Sequence, residues 1–157
     1  MLGLIRRPAS AIYCNRIFSL CVTGRTSKRR SAGTPPILTR HGWLVIYHGV
    51  SELTGPHEGT RHLCYSAGVM VLSRQHPREI LYRSAEPVLT PVLPLERSGA
   101  VANVVFPTGI DRRDDLGSPD RFDVYYGMAD TRIGVARLDL PDYLPSGGVA
   151  AQPRGKV

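Results

Sequence analysis

The chain has 157 residues and a formal net charge of +7 at pH 7, a length typical of one domain with its own hydrophobic core. The positive charge is concentrated at the start. Residues 1–50 hold eight Lys or Arg and no acidic residue, whereas the other 107 residues hold 12 basic and 13 acidic ones. Nucleic-acid-binding domains spread their cationic residues over a folded face, so this distribution argues against nucleic acid as a partner.

Residues 1–24 form a basic leader that contains Arg and Ser, lacks acids and is partly apolar, a composition typical of organelle-targeting peptides. Its apolar pieces are interrupted by Arg and are too short to span a membrane, so we predict no membrane partner. A start from a truncated or misread gene would explain the same composition. We expect the leader and the Gly/Pro-rich tail, residues 145–157, to be disordered.

The strongest strand signal is the segment 42–50 (GWLVIYHGV). Five apolar or aromatic residues in a row, bounded by glycines, are too few for a free helix and favour a strand that is covered on both faces. His48 is the only residue in this run that titrates near neutral pH, and it precedes Gly49. It is therefore a candidate site residue, although a core histidine bonded to a backbone carbonyl would fit the same pattern.

Further strands follow, separated by turn chemistry. A loop is expected over residues 51–61 and a proline-rich loop over 87–99. Pro107 should end the fourth strand, and the acids of the polar loop 111–120 should be solvated. The predicted strands after the first are residues 64–72, 79–83, 102–106, 121–127 and 131–140, the last two joined by a tight turn at 128–130.

No segment repeats with a helical period over ten or more residues, so the sequence predicts an all-β fold. Strands that are apolar on both faces are typical of sheets packed between other sheets, as in a β-propeller, with a sandwich as the alternative. Six strands fill fewer than two four-stranded blades, while a closed propeller needs at least four blades. The chain is therefore expected to form part of a propeller.

The three cysteines, Cys14, Cys21 and Cys64, form no disulfide framework, because their number is odd and their spacing suits no zinc motif. His62 and Cys64 would share one face of a strand but lack further ligands. We therefore predict no metal site and a reducing, cytoplasmic localisation.

Two motifs, 31–37 (SAGTPPI) and 42–50, resemble the signature of glycoside hydrolase family 130, the β-mannoside phosphorylases and related mannosidases. The resemblance covers about residues 27–144. It continues, in the same order, through 65–72, 81–84, 86–89, Glu96, 103–109, 125–130 and 133–136.

The resemblance implies a five-bladed β-propeller, of which residues 25–144 are the C-terminal blades. It also implies inverting phosphorolysis of a β-mannoside oligosaccharide to mannose 1-phosphate, with inorganic phosphate as co-substrate and no other cofactor. An oligomer would be compatible with this assignment.

Three positions, Arg29, His48 and Asp130, match site residues of the family. Tyr126 belongs to the same motif as Asp130, and tyrosine is a natural platform for a sugar. Arg29 and His48 would bind phosphate, a role that suits the forked guanidinium and the imidazole. Asp130 and Tyr126 would bind the mannoside. Taken alone, Asp130 would be a turn residue and Tyr126 a core residue.

The family's proton-donating Asp and its first phosphate-binding Arg have no matching position in this chain. We therefore expect the chain to contain no catalytic acid and to be inactive alone. The alternative is a non-catalytic sugar-binding or interaction module derived from such an enzyme.

Overall fold

The computed structural model describes residues 26–54, 61–117 and 119–145, and their regular secondary structure is almost entirely β-strand. The only helical pieces among them are α1 (Pro94–Arg97) and a 3-10 turn at Asp114–Leu116, which confirms the all-β prediction. None of the described helices is long and apolar enough to cross a membrane. The strands are β1 (Thr26–Ala32), β2 (Ile37–Thr39), β3 (Gly42–Thr54), β4 (Arg61–Leu72), β5 (Ile80–Arg83), β6 (Val105–Arg112), β7 (Arg121–Met128) and β8 (Arg132–Asp139). The predicted leader and all of the predicted tail but its first residue lie outside the described residues.

The first sheet has the order β1-β3-β4-β5, and β2 also pairs with β3. β1 and β2 form one interrupted edge strand along β3, broken at residues 33–36. Thr34 bridges this break, because its hydroxyl accepts a hydrogen bond from the Ile46 N–H at 3.2 Å while its own N–H donates to the Ile46 carbonyl at 3.0 Å. Pro35 and Pro36 have no N–H with which to continue the ladder. Thr34 therefore bonds both backbone groups of Ile46 where the edge strand is interrupted.

The expected loop over residues 51–61 is wrong in its first part. β3 continues to Thr54, and its ladder with β4 runs unbroken from Trp43 opposite Leu72 to Thr54 opposite Arg61. The long antiparallel partner supplies backbone hydrogen bonds that the local sequence does not reveal. Residues 55–60, where the loop's glycine and proline breakers stand, lie outside the described part.

The second sheet is antiparallel in the order β6-β7-β8. The prediction that Pro107 ends its strand is wrong, since β6 runs to Arg112 and pairs Pro107 with Tyr126. Two features accommodate the proline. β6 lies at the edge of this sheet, where a missing N–H need not break a ladder, and the register shifts between Pro107 and Gly109.

Side chains of both sheets belong to one buried cluster, and the two sheets remain open. Leu44, Ile46 and Val69 contribute from the first sheet, Phe122 and Leu138 from the second, and all five are fully buried. Each such side chain stabilises the fold by roughly 1.5–3 kcal/mol relative to full exposure. The sheets therefore share a core.

Asp120 contradicts the expectation that the acids of the polar loop are solvated. Its residue exposure is only 3%, and its carboxylate forms ion pairs with Arg40 at 2.7 Å and with Arg112 at 2.9 Å. A buried carboxylate is tolerated when it is paired and hydrogen-bonded. One of these partners, Arg40, comes from the β2–β3 turn, far away in sequence.

Candidate functional site

His48 lies on β3 at the junction between the two sheets. Its backbone pairs with Ser31 of β1 and with Ala67 of β4, while its ring packs on Phe106 of β6 with centroids 4.3 Å apart and a 38° interplanar angle. The hairpin turn at residues 40–41 folds β2 back onto β3, and β1 pairs with the continuation of β3 at the level of His48. The position of His48 on β3 is therefore fixed by backbone pairing with β1 and β4 and by the contact with the Phe106 ring of β6.

The Nδ1 atom of His48 is buried and has no hydrogen-bond partner among the described residues. Burial also lowers the pKa of the imidazole below its usual value of 6.5, so the ring is neutral at pH 7. An unsatisfied buried nitrogen costs about 1–3 kcal/mol. Within the described residues, no backbone carbonyl therefore accepts a hydrogen bond from Nδ1.

Arg29 lies on β1 near the level of His48. The neighbouring pairs are Arg30 with Gly49 and Ser31 with His48, and the register shifts between Thr26 and Arg30. The backbone of Arg29 therefore lies on the strand next to His48. The side chain of Arg29 lies outside the described structure, so its contact with phosphate stays a prediction.

Gly33, directly after β1, packs against the backbone of β6. A Cβ atom at this position would lie 2.8 Å from the Pro107 carbonyl oxygen, too close for any residue with a side chain. Since Pro107 follows Phe106, this contact and the His48–Phe106 contact bring β1, β3 and β6 together.

Asp130 occupies the turn between β7 and β8. Ala129 and Asp130 have φ angles of +46° and +52°, and the Thr131 N–H donates to the Met128 carbonyl at 3.1 Å, as in a type I′ turn. The side chain of Asp130 is exposed. Gly127, which pairs with Phe106, precedes Asp130 by three residues, roughly 10 Å of strand at most. The turn therefore follows directly on the part of β7 that pairs with Phe106, and Phe106 contacts His48.

Tyr126 is buried at 2% exposure, and its hydroxyl donates to Glu96 Oε1 at 2.8 Å. Its ring lies over Gly134, where a Cβ atom would meet the ring carbon Cζ at 2.6 Å. Within this chain the tyrosine packs and bonds internally. A direct contact with sugar stays a prediction.

In the sequence, Glu96 is recognisable only as part of a motif. It is fully buried, and its Oε2 accepts the N–H groups of Val92 and Leu93 at 2.8 Å each. A glutamate at the third helical position, with Pro94 at the first, is a recognisable helix-start signal. The bond to Tyr126 could not be found in that way, because it joins residues thirty positions apart.

Comparison with known proteins identifies the family. The family model for beta-1,4-mannooligosaccharide phosphorylase, Glyco_hydro_130, matches residues 28–144. The chain is 38% identical to the 1,2-beta-oligomannan phosphorylase of Thermoanaerobacter sp. (strain X514), over 74% of this chain and 34% of the relative. It is 37% identical to the beta-1,4-mannooligosaccharide phosphorylase of Ruminococcus albus, over 76% of this chain and 34% of the relative.

Among solved structures, the beta-1,2-mannobiose phosphorylase from Listeria innocua, in complex with beta-1,2-mannobiose, superimposes with a TM-score of 0.58 at 30% identity. The match covers 75% of this chain and 30% of that one. The chain is thus similar in sequence and fold to carbohydrate-active enzymes, and it belongs to glycoside hydrolase family 130. It spans about a third of the length of the curated relatives that it matches.

Proposed function

We propose that this chain is the phosphate- and mannose-binding part of a β-mannoside phosphorylase, with its two sheets as blades of a five-bladed propeller. Membership of the family supports the activity, and two open sheets with a shared core are compatible with blades that pack on further blades. A cytoplasmic location and assembly into an oligomer are part of the same proposal.

The proposed reaction is an inverting phosphorolysis. A phosphate oxygen attacks the anomeric carbon of mannose, the glycosidic C–O bond breaks, and the leaving oxygen takes a proton from a carboxylic acid. The products are α-mannose 1-phosphate and the shortened acceptor. Phosphate is already a nucleophile, so no second carboxylate is required as a base. In this proposal the proton donor is supplied from outside this chain.

The observation that carries the proposal is the position of His48, half-buried on β3 and next to β1, the strand that carries Arg29. A neutral imidazole can donate one N–H to a phosphate oxygen, and the Phe106 ring fixes its plane. Arg29, on the adjacent strand, would add a cationic fork for the same anion. The two groups together would hold the nucleophile beside the sugar.

Asp130 would accept hydrogen bonds from hydroxyl groups of the mannose. A carboxylate against phosphate would be costly, because like charges disfavour each other. We therefore place Asp130 on the sugar side of the site and His48 on the phosphate side.

Calorimetric titration with inorganic phosphate and with β-1,4-mannobiose tests this assignment. The chain should bind phosphate, and H48F should abolish that binding, whereas H76F, at an exposed histidine, should leave it unchanged. D130N should weaken mannobiose and not phosphate. With both ligands present, no mannose 1-phosphate should form. Absent phosphate binding would contradict the role of His48, and robust turnover would show that the chain contains its own proton donor.

A further inference from the structure

The turn that carries Asp130 has a backbone that its own sequence does not favour. Both central residues of a type I′ turn need positive φ, and Asn or Gly usually occupies them. Here the first is Ala129, at φ +46°, where Cβ crowds the following carbonyl oxygen. Ala129 is also fully buried. Contacts from elsewhere must therefore keep this turn in place.

These contacts come from the segment 99–104. The Ala129 N–H donates to the Val104 carbonyl at 3.1 Å, and the Ala129 carbonyl accepts the Val101 N–H at 3.3 Å. Gly99 packs on the same residue, since a Cβ there would lie 2.3 Å from the Ala129 carbonyl oxygen. Both backbone groups of the strained alanine are thus fixed by one segment.

Glu96 anchors that segment. Its backbone carbonyl accepts the Val104 N–H at 2.9 Å, and its buried carboxylate accepts the N–H groups of Val92 and Leu93 at the start of α1. The remaining oxygen, Oε1, accepts the Tyr126 hydroxyl at 2.8 Å. Glu96 therefore connects the segment 99–104 to Tyr126 of β7. Tyr126 precedes Ala129 by three residues.

We propose that Glu96 is a positioning residue. Through Tyr126 and through Val104, it holds the Ala129–Asp130 turn in the left-handed conformation that presents the Asp130 carboxylate to the mannoside. This inference rests on the proposed function, because Asp130 is the sugar-binding group in both. Glu96 itself needs no contact with substrate, since it acts through its hydrogen bonds to the backbone and to Tyr126.

The test compares Y126F with Y125F. Y126F keeps the buried ring and removes only the hydroxyl, while Tyr125, the next residue on β7, is 39% exposed and provides a matched control. In Y126F, the NMR signals and the HN–Hα coupling of Ala129 and Asp130 should change, and mannobiose affinity should fall about tenfold. In Y125F, the coupling and the affinity should stay as in the wild type. E96Q should change the same signals less than Y126F does, because its amide oxygen can still accept the Val92 and Leu93 N–H groups while its N–H₂ donates to the Tyr126 oxygen.

A purely structural role predicts a different result. If Y126F lowered only the urea midpoint and left the turn signals and the affinity unchanged, the inference would be overturned. Failure of the wild type to bind mannobiose would instead refute the proposed function and the substrate part of this inference. The Ala129 coupling in Y126F would then still decide whether Glu96 and Tyr126 hold the turn.

Discussion

The guanidinium of Arg40 and the carboxylate of Asp120, eighty residues apart in the chain, form an ion pair of 2.7 Å that joins the β2–β3 turn to the start of β7. Arg112 binds the other oxygen of the same carboxylate at 2.9 Å and lies over the Phe122 ring, 4.9 Å from its centroid. Arg112 also donates to the Leu38 carbonyl of β2. This cluster connects the two sheets at a distance from the candidate site.

Replacing Asp120 by Asn should destabilise the fold. The substitution leaves two arginines facing a neutral amide in a buried position, and loss of one partner from a buried pair costs about 3 kcal/mol. Asp142 provides the control, since it binds the same Arg40 at 2.6 Å but is 80% exposed. D142N should cost less than about 1 kcal/mol. Urea unfolding measures the free energy of unfolding of both variants. Equal losses in D120N and D142N would contradict the burial of the Asp120 ion pairs.

The contribution of Asp120 should also depend on pH. Burial opposes ionisation of this carboxyl, but hydrogen bonds from Arg40 and Arg112 outweigh it and lower its pKa below the usual 3.8. A group with a lowered folded pKa stabilises the fold above its unfolded pKa, about 3.9, and loses that effect as pH falls further. The stability difference between wild type and D120N should therefore be constant at neutral pH and shrink below about pH 4. A difference that persists unchanged to pH 3 would show that the pairing is not electrostatic.

Gly134 should tolerate no side chain, because a Cβ atom there would lie 2.6 Å from the Tyr126 ring. G134A must displace a ring whose hydroxyl is bound to Glu96, and overpacking of this kind costs about 1–3 kcal/mol. Gly109 is the matched control, since a Cβ atom there would lie 3.7 Å from the nearest Tyr125 atoms, an ordinary contact. Thermal unfolding should separate the two variants. Similar melting temperatures would mean that the Tyr126 ring can move freely.

Phenylalanine at position 48 should stabilise the chain in the absence of ligand. H48F removes an unpartnered buried nitrogen, and relief of that penalty should raise the unfolding free energy by about 1 kcal/mol. H41F is the contrasting variant, because His41 Nε2 contacts the Pro141 carbonyl at 2.8 Å, and its loss should lower stability by about 1 kcal/mol. Chemical denaturation gives both values. A destabilised H48F would indicate that His48 is a bonded core residue after all.

The sequence predicts the strands whose apolar pattern is local and fails where partners are remote. β3, β4 and β7 carry continuous apolar runs and are confirmed. The continuation of β3 to Thr54 and of β6 past Pro107 depends on pairing with a neighbouring strand, which no local pattern encodes. The burial of Asp120 likewise depends on Arg40, which lies far away in sequence.

The candidate site shows the same division. The sequence shows that His48 lies in a glycine-bounded strand. That its Nδ1 has no hydrogen-bond partner among the described residues depends on the contacts between the two sheets. The tight turn at Asp130 is predicted from the chain, whereas the strained Ala129 and its support by the Glu96 segment are not. Residue type and order identify the groups, and tertiary contacts decide their geometry.

Histidine NMR with inorganic phosphate tests the central claim, that His48 donates to phosphate. The ring signals of His48 are followed through a pH titration, with and without phosphate, and the exposed His76 ring serves as the control. Without phosphate, the His48 pKa should lie below 6.5 because of burial. An adjacent dianion stabilises the imidazolium, so phosphate should raise the His48 pKa and leave the His76 signals unaffected. A His48 titration that is identical with and without phosphate would contradict the account.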